Sequence, residues 1–176
     1  MLALAAADDL TEALELLRGL KSEIPSDDPF MTTEAPNALA QTYIRLSARA
    51  FDNGEFESAA ALLTRAEEFN PEAPQIEARR ESVDRVAHVA HTLEFVISFP
   101  VDRVIAELEE IEVSEGQRFP LIRTQLAEIL AQRINEAQST APQRANELLD
   151  AARRIFPGSP VFADLRTSEA TFTAGP

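Results

Sequence analysis

Residues 37–71 read NALAQTYIRLSARAFDNGEFESAAALLTRAEEFNP, and this stretch decides the fold. Leu39, Tyr43, Leu46 and Ala50 recur at spacings of three and four, which places them on one helical face. Asn37, just after Pro36, is expected to cap that helix by accepting from its first free N–H groups. Asp52-Asn53-Gly54 ends it, because glycine takes a positive φ without steric cost. A second helix is predicted over Phe56–Phe69, with Ala59, Leu62, Leu63 and Ala66 inward. Ala59 is small and lets the two helices approach closely. Pro71 closes the unit, since a residue before proline is pushed out of helical geometry. The stretch therefore predicts a helical hairpin.

Tyr43, Leu46, Gly54, Ala59, Leu63, Ala66 and Pro71 together resemble the tetratricopeptide repeat. Ser47 stands where that family usually has glycine, and Ala50 where it usually has a large aromatic. The resemblance implies an all-α array of helical hairpins, a short right-handed α-solenoid with irregular repeats, that binds proteins or peptides.

The rest of the chain reads as variations on the same unit. An amphipathic helix is expected within residues 1–24, with Asp9 and Glu12 as a capping box and Ala13, Leu16, Leu17 and Leu20 inward. Residues 25–36 are proline-rich, polar and expected to be irregular. A long helix is predicted over 74–99. Its end, LEFVISF over residues 93–99, would suit a strand if taken alone, and is kept helical because the preceding periodicity runs into it. Pro100 suits the first turn of a helix over 101–112, with Ser98 as its cap and Val104, Leu108 and Ile111 inward. Residues 113–118 are expected to form a loop. A further hairpin spans 119–156, with Ile122, Leu126, Ile129, Leu130 and Ile134 on its first helix and Ala145, Leu148, Leu149 and Ala152 on its second. Residues 139–142 are expected to turn, Thr140 and Gln143 forming a capping box. A short helix follows Pro160, to about Thr167.

Second helices align on the triplets Ala13/Leu17/Leu20, Ala59/Leu63/Ala66, Val104/Leu108/Ile111 and Ala145/Leu149/Ala152. The offsets between their first members (13 to 59, 59 to 104, 104 to 145) are 46, 45 and 41, longer than the family's period of about 34. The first helices or their connections must be extended. One domain is expected over 1–170, with the best repeat at 37–71, a second at 119–157, and a tail or linker at 171–176.

With 176 residues and 45% apolar composition, the chain can bury a sizeable core. It contains no tryptophan and one tyrosine, so that core is aliphatic and phenylalanine-based. A net charge of −14 repels phosphate backbones and anionic membranes, which disfavours a nucleic-acid partner. No run of 18 apolar residues occurs, so no membrane span is expected. Cysteine is absent, which excludes disulfides and thiolate chemistry in this chain without fixing a compartment. The cytoplasm is the first expectation, and the periplasm the alternative if the chain is part of a longer protein.

In tetratricopeptide arrays the first helices line the concave face. Transferred to this chain, that resemblance implies partner contacts at Ile44, Ala48 and Phe51, at Val86, Val89, Leu93 and Val96, and at Leu130, Ile134 and Ala137. These are apolar positions, suited to an amphipathic helix. They lack the Lys, Arg and Asn with which one subgroup clamps C-terminal carboxylates. The competing readings are that they are core, or serve self-association. His88 and His91 share a helix face but have no third metal ligand nearby, and a structural role is expected. Glu107, Glu109, Glu110, Glu112 and Glu115 are expected on a solvated face, with attraction of a basic partner as the alternative. Arg79, Arg80 and Arg85 are expected to pair with Glu77, Glu81 and Asp84. No glycine-rich phosphate loop occurs, and no carboxylate pair is singled out for acid–base work. The expectation is a non-catalytic protein-interaction or scaffolding module without cofactor or metal, a regulatory part of a larger bacterial protein. The alternative is a ligand-sensing helical domain that binds a peptide or small molecule in an apolar groove.

Overall fold

The computed structural model describes residues 1–2, 10–95, 100–163 and 165. It is all-α, and no strand occurs among the described residues. The helices are α1 (Leu10–Leu20), α2 (Ala35–Asp52), α3 (Phe56–Phe69), α4 (Pro74–Glu94), α5 (Val101–Glu115), α6 (Phe119–Thr140) and α7 (Pro142–Ile155). Contacts divide the chain into two compact units, Met1–Ala87 and His88–Pro176.

In the first unit, α2 and α3 form the expected hairpin. Gly54 takes φ +82°, and α3 has the predicted limits. Ala59 is fully buried, and its carbonyl accepts a 2.8 Å hydrogen bond from the buried Ser47 hydroxyl. Leu39, Leu63 and Ala66 are also fully buried. Tyr43 stacks on Phe69 with centroids 5.7 Å apart, and Phe51 meets Phe56 edge-on at 5.3 Å. Helix α1 packs Ala13 and Leu17 against Ala35 and Leu39. Arg80, on the N-terminal half of α4, reaches Glu67 on α3 at 2.6 Å.

Several local expectations change. Asn37 is not a cap. Helix α2 begins at Ala35, with Pro36 in its first turn, and it follows a π-helical turn over Phe30–Glu34. Residues 30–36 are therefore helical where an irregular connection was expected. Proline suits a first helical turn, where its missing N–H has no partner to lose. Asn37 instead accepts a 2.7 Å bond from the Asn70 amide and so ties the start of α2 to the end of α3. Leu16, expected inward, is 45% exposed, because α1 packs through Ala13 and Leu17, with Leu10 and Leu14 partly buried beside them. Asp9 of the expected capping box lies outside the described residues.

In the second unit, α5 buries Val104, Leu108 and Ile111 as expected. It continues to Glu115 through residues expected to form a loop. Gly116, at φ +51°, then ends it ahead of a 3₁₀ turn over Gly116–Arg118. Helix α6 runs through Ser139 and Thr140, leaving only Ala141 before α7. The Thr140 hydroxyl donates back to the Glu136 carbonyl at 3.3 Å and caps nothing; Ala141 occupies the N-cap position of α7. Pro142 in the first turn of α7 makes a side-chain cap less necessary. Leu126, Leu130, Ile134 and Ala152 are fully buried. After α7, one 3₁₀ turn over Pro160–Phe162 stands in place of the start of the expected helix. Of the 93–99 segment, Leu93 and Glu94 are helical and Phe95 is a turn; residues 96–99, with Ser98, lie outside the described residues.

Candidate partner-binding groove

The residues that the repeat resemblance singled out are mostly interior. Ile44 and Phe51 are buried and Ala48 is half-buried. Val86, Val89, Leu93, Leu130 and Ile134 are each fully buried. Ala137 is half-buried, and Val96 lies outside the described residues. A partner engaging the buried side chains would have to displace the chain's own packing.

The histidines are held by neighbours. His88 Nε2 lies 3.8 Å from Glu107 Oε2, and the His91 ring meets Phe95 edge-on at 5.3 Å. Glu107 also accepts from Arg103 Nε at 3.1 Å. The acidic run is not one solvated face. Glu107 is only 20% exposed and the Glu115 side chain only 8%, whereas Glu109, Glu110 and Glu112 are exposed. The helical period explains the split: Glu107 and Glu115 flank the buried stripe of Leu108 and Ile111. Arg85 pairs with Glu81 at 2.6 Å and Arg80 with Asp84 at 3.8 Å as expected, and Arg80 also reaches across to Glu67 at 2.6 Å. Among the described residues, no group of three or more His, Asp or Glu could hold a metal. No described helix is long and apolar enough to cross a membrane.

Two adjoining cavities of the second unit lie at the open end of the α6–α7 hairpin. Because the two helices are antiparallel, the start of α6 and the end of α7 meet there. A cavity of about 350 Å³ is lined by Phe119 and Arg123 of α6, Glu112 of α5, and Phe156, Gly158 and Pro160 from the turn after α7. An adjoining cavity of about 320 Å³ shares Glu112, Phe119 and Arg123 and adds Ile105, Glu109 and Arg154. The three shared residues join the two cavities, and the apolar residues beneath them, Leu108, Phe119, Ile155 and Phe156, are themselves buried.

The turn that walls these cavities is held at several points. Gly158 takes φ +73°, a conformation other residues rarely adopt. The Ser159 N–H donates to the Phe156 carbonyl at 3.1 Å, and Phe156 stacks on Phe162 at 6.1 Å. Arg123 lies 6.0 Å from the centroid of Phe156, and its Nη2 donates to the Pro157 carbonyl at 3.4 Å. Arg154 Nη2 pairs with Asp102 Oδ1 at 3.2 Å.

Sequence reasoning placed Phe119 and Phe156 at the two ends of a hairpin and passed over the cavity they share. The available signal was the Phe-Pro dipeptide at each end, Phe119-Pro120 and Phe156-Pro157. No family model matches the chain, and neither a curated protein nor a solved structure matches it.

Proposed function

We propose that this chain is a non-catalytic protein-interaction module of tetratricopeptide-like helical hairpins, a scaffolding or regulatory part of a larger bacterial protein. The observation that supports the reading is the α2–α3 hairpin. Its turn glycine has a positive φ, its small Ala59 is fully buried, and Ser47 bonds to the Ala59 backbone. Hairpins of this kind bury one stripe per helix and present the other faces outward, which suits recognition of a peptide or helix. The partner class is a protein or peptide, and self-association is a form of the same activity.

Affinity capture from a native lysate, combined with light scattering of the purified chain, tests this. A reproducible protein partner or a defined oligomer is expected. The absence of both a partner and an oligomer would overturn the reading.

A further inference from the structure

We propose that Asn53 is a site of spontaneous covalent modification, deamidation through the backbone nitrogen of Gly54, and that the turn between α2 and α3 sets its rate. This does not depend on the interaction reading.

The chemistry singles out one residue. An asparagine deamidates when the backbone nitrogen of the next residue attacks its side-chain carbonyl carbon. The chain has five asparagines, Asn37, Asn53, Asn70, Asn135 and Asn146. Asn70 precedes Pro71, whose nitrogen carries no proton to give up. Asn37, Asn135 and Asn146 lie within α2, α6 and α7, and each is followed by a helical residue whose Cβ crowds the approach. Only Asn53 precedes a glycine, which has no Cβ. It sits just beyond the end of α2 and is exposed, and no hydrogen bond holds its side-chain amide among the described residues.

The same turn restrains the reaction. The Gly54 N–H donates to the Phe51 carbonyl at 3.1 Å, and the Glu55 N–H to the Ala50 carbonyl at 2.9 Å. With Gly54 at φ +82°, this is the paired bonding that closes a helix C-terminus. Asn53 has ψ −4°, which eclipses the Gly54 nitrogen with the Asn53 backbone nitrogen and so turns it away from Cβ. Attack requires the Gly54–Phe51 bond to break and ψ to rotate. That is an opening of the helix end, with α2 and α3 still packed.

In the open turn, the Gly54 nitrogen gives its proton to solvent base and bonds to Asn53 Cγ. The Cγ–Nδ2 bond breaks, and Nδ2 leaves as ammonia with a proton from water. Water then opens the cyclic imide. Addition at Cγ gives aspartate; addition at the Asn53 backbone carbonyl carbon gives isoaspartate, with the chain rerouted through the side chain. Either product replaces an amide by a carboxylate. Isoaspartate also lengthens the backbone, which moves Gly54 and Glu55 out of register with the Phe51 and Ala50 carbonyls.

The test incubates the full chain at mildly alkaline pH, folded and in urea, beside a capped peptide of residues 50–57. Peptide mapping by mass spectrometry follows each asparagine, and hydrogen exchange follows the Gly54 amide. In urea, Asn53 is expected to convert faster than any other asparagine and at the rate of the peptide. Folding is expected to slow it about tenfold or more, the population effect of two net hydrogen bonds. Exchange protection of the Gly54 amide is expected to be no larger than this slowing, since both need that nitrogen released. Asn53→Gln, whose longer side chain would have to close a larger ring, is expected to lose conversion at this position while its circular dichroism stays that of the parent. The isolated isoaspartyl chain is expected to unfold at lower urea.

The proposal is overturned if unfolded Asn53 converts no faster than the other asparagines, or if the folded chain converts it as fast as the unfolded one. Gly54 protection that exceeds the slowing also overturns it, because attack would then proceed without release of the nitrogen. An isoaspartyl chain as stable as the parent overturns the loss of register.

Discussion

The Ser47 hydroxyl donates to the carbonyl of Ala59 at 2.8 Å, and both residues are fully buried. Ser47 occupies the position where the resembled repeat usually has glycine. Serine fits because Ala59 opposite it is small, and its hydroxyl is satisfied by α3 backbone. Ser47→Ala is expected to cost about 1 kcal/mol, the net value of one such bond. Urea unfolding with an unchanged denaturant slope would report it; an unaltered midpoint would show that this bond contributes nothing.

Ala59→Leu adds volume at the same crossing. With no exposed surface at Ala59, the extra atoms must push α2 and α3 apart, at a cost on the order of 1–3 kcal/mol. A thermal midpoint equal to that of the parent would mean that the two helices do not meet tightly at this residue.

Gly54 has φ +82° between α2 and α3. Gly54→Ala should destabilise by roughly 1–2 kcal/mol through left-handed backbone strain, and Gly54→Asn by less, since asparagine tolerates that region. If alanine proves no worse than asparagine, the turn adopts another conformation in solution.

Ile111 and Val113 lie two positions apart on α5 with opposite environments, fully buried and 87% exposed. Ile111→Ala should cost about 2–5 kcal/mol, and Val113→Ala should fall within about 0.5 kcal/mol of the parent. Equal effects would mean that the register of α5 is wrong.

Phe51 is 3% exposed and Leu93 fully buried, although the repeat resemblance placed both on a binding surface. Phe51→Glu combined with Leu93→Glu should unfold the chain, since each buries a carboxylate without a partner. Light scattering with circular dichroism separates the outcomes. A folded monomer obtained from an oligomeric parent would restore these residues to an interface.

The helical class and the limits of α3 were legible because both rest on local physics. Apolar residues at spacings of three and four, a glycine where the chain reverses, and a proline beyond the end act within a few residues of each other. Helix ends carried by proline were less legible. Pro36 and Pro142 sit inside first turns, so Asn37 and Thr140, the polar residues beside them, proved not to be caps. The resemblance to a repeat family was legible as a pattern, but which helix face is covered is not a property of the pattern. Leu130 and Ile134 are equally apolar whether they line a groove or fill a core.

What the sequence determined by itself, then, is an all-helical chain with a tight hairpin at Gly54 and aliphatic stripes along most helices, because backbone stereochemistry and residue spacing act locally. What only the tertiary structure decided is the use of particular side chains. Asn37 meets Asn70, Ser47 meets Ala59, Glu107 and Glu115 turn inward, and Phe119 and Phe156 share one cavity. The physical reason is that the cavity shared by Phe119 and Phe156, and the bond between Asn70 and Asn37, join residues distant in the chain, and their coming together depends on how the helices pack, which no local spacing records.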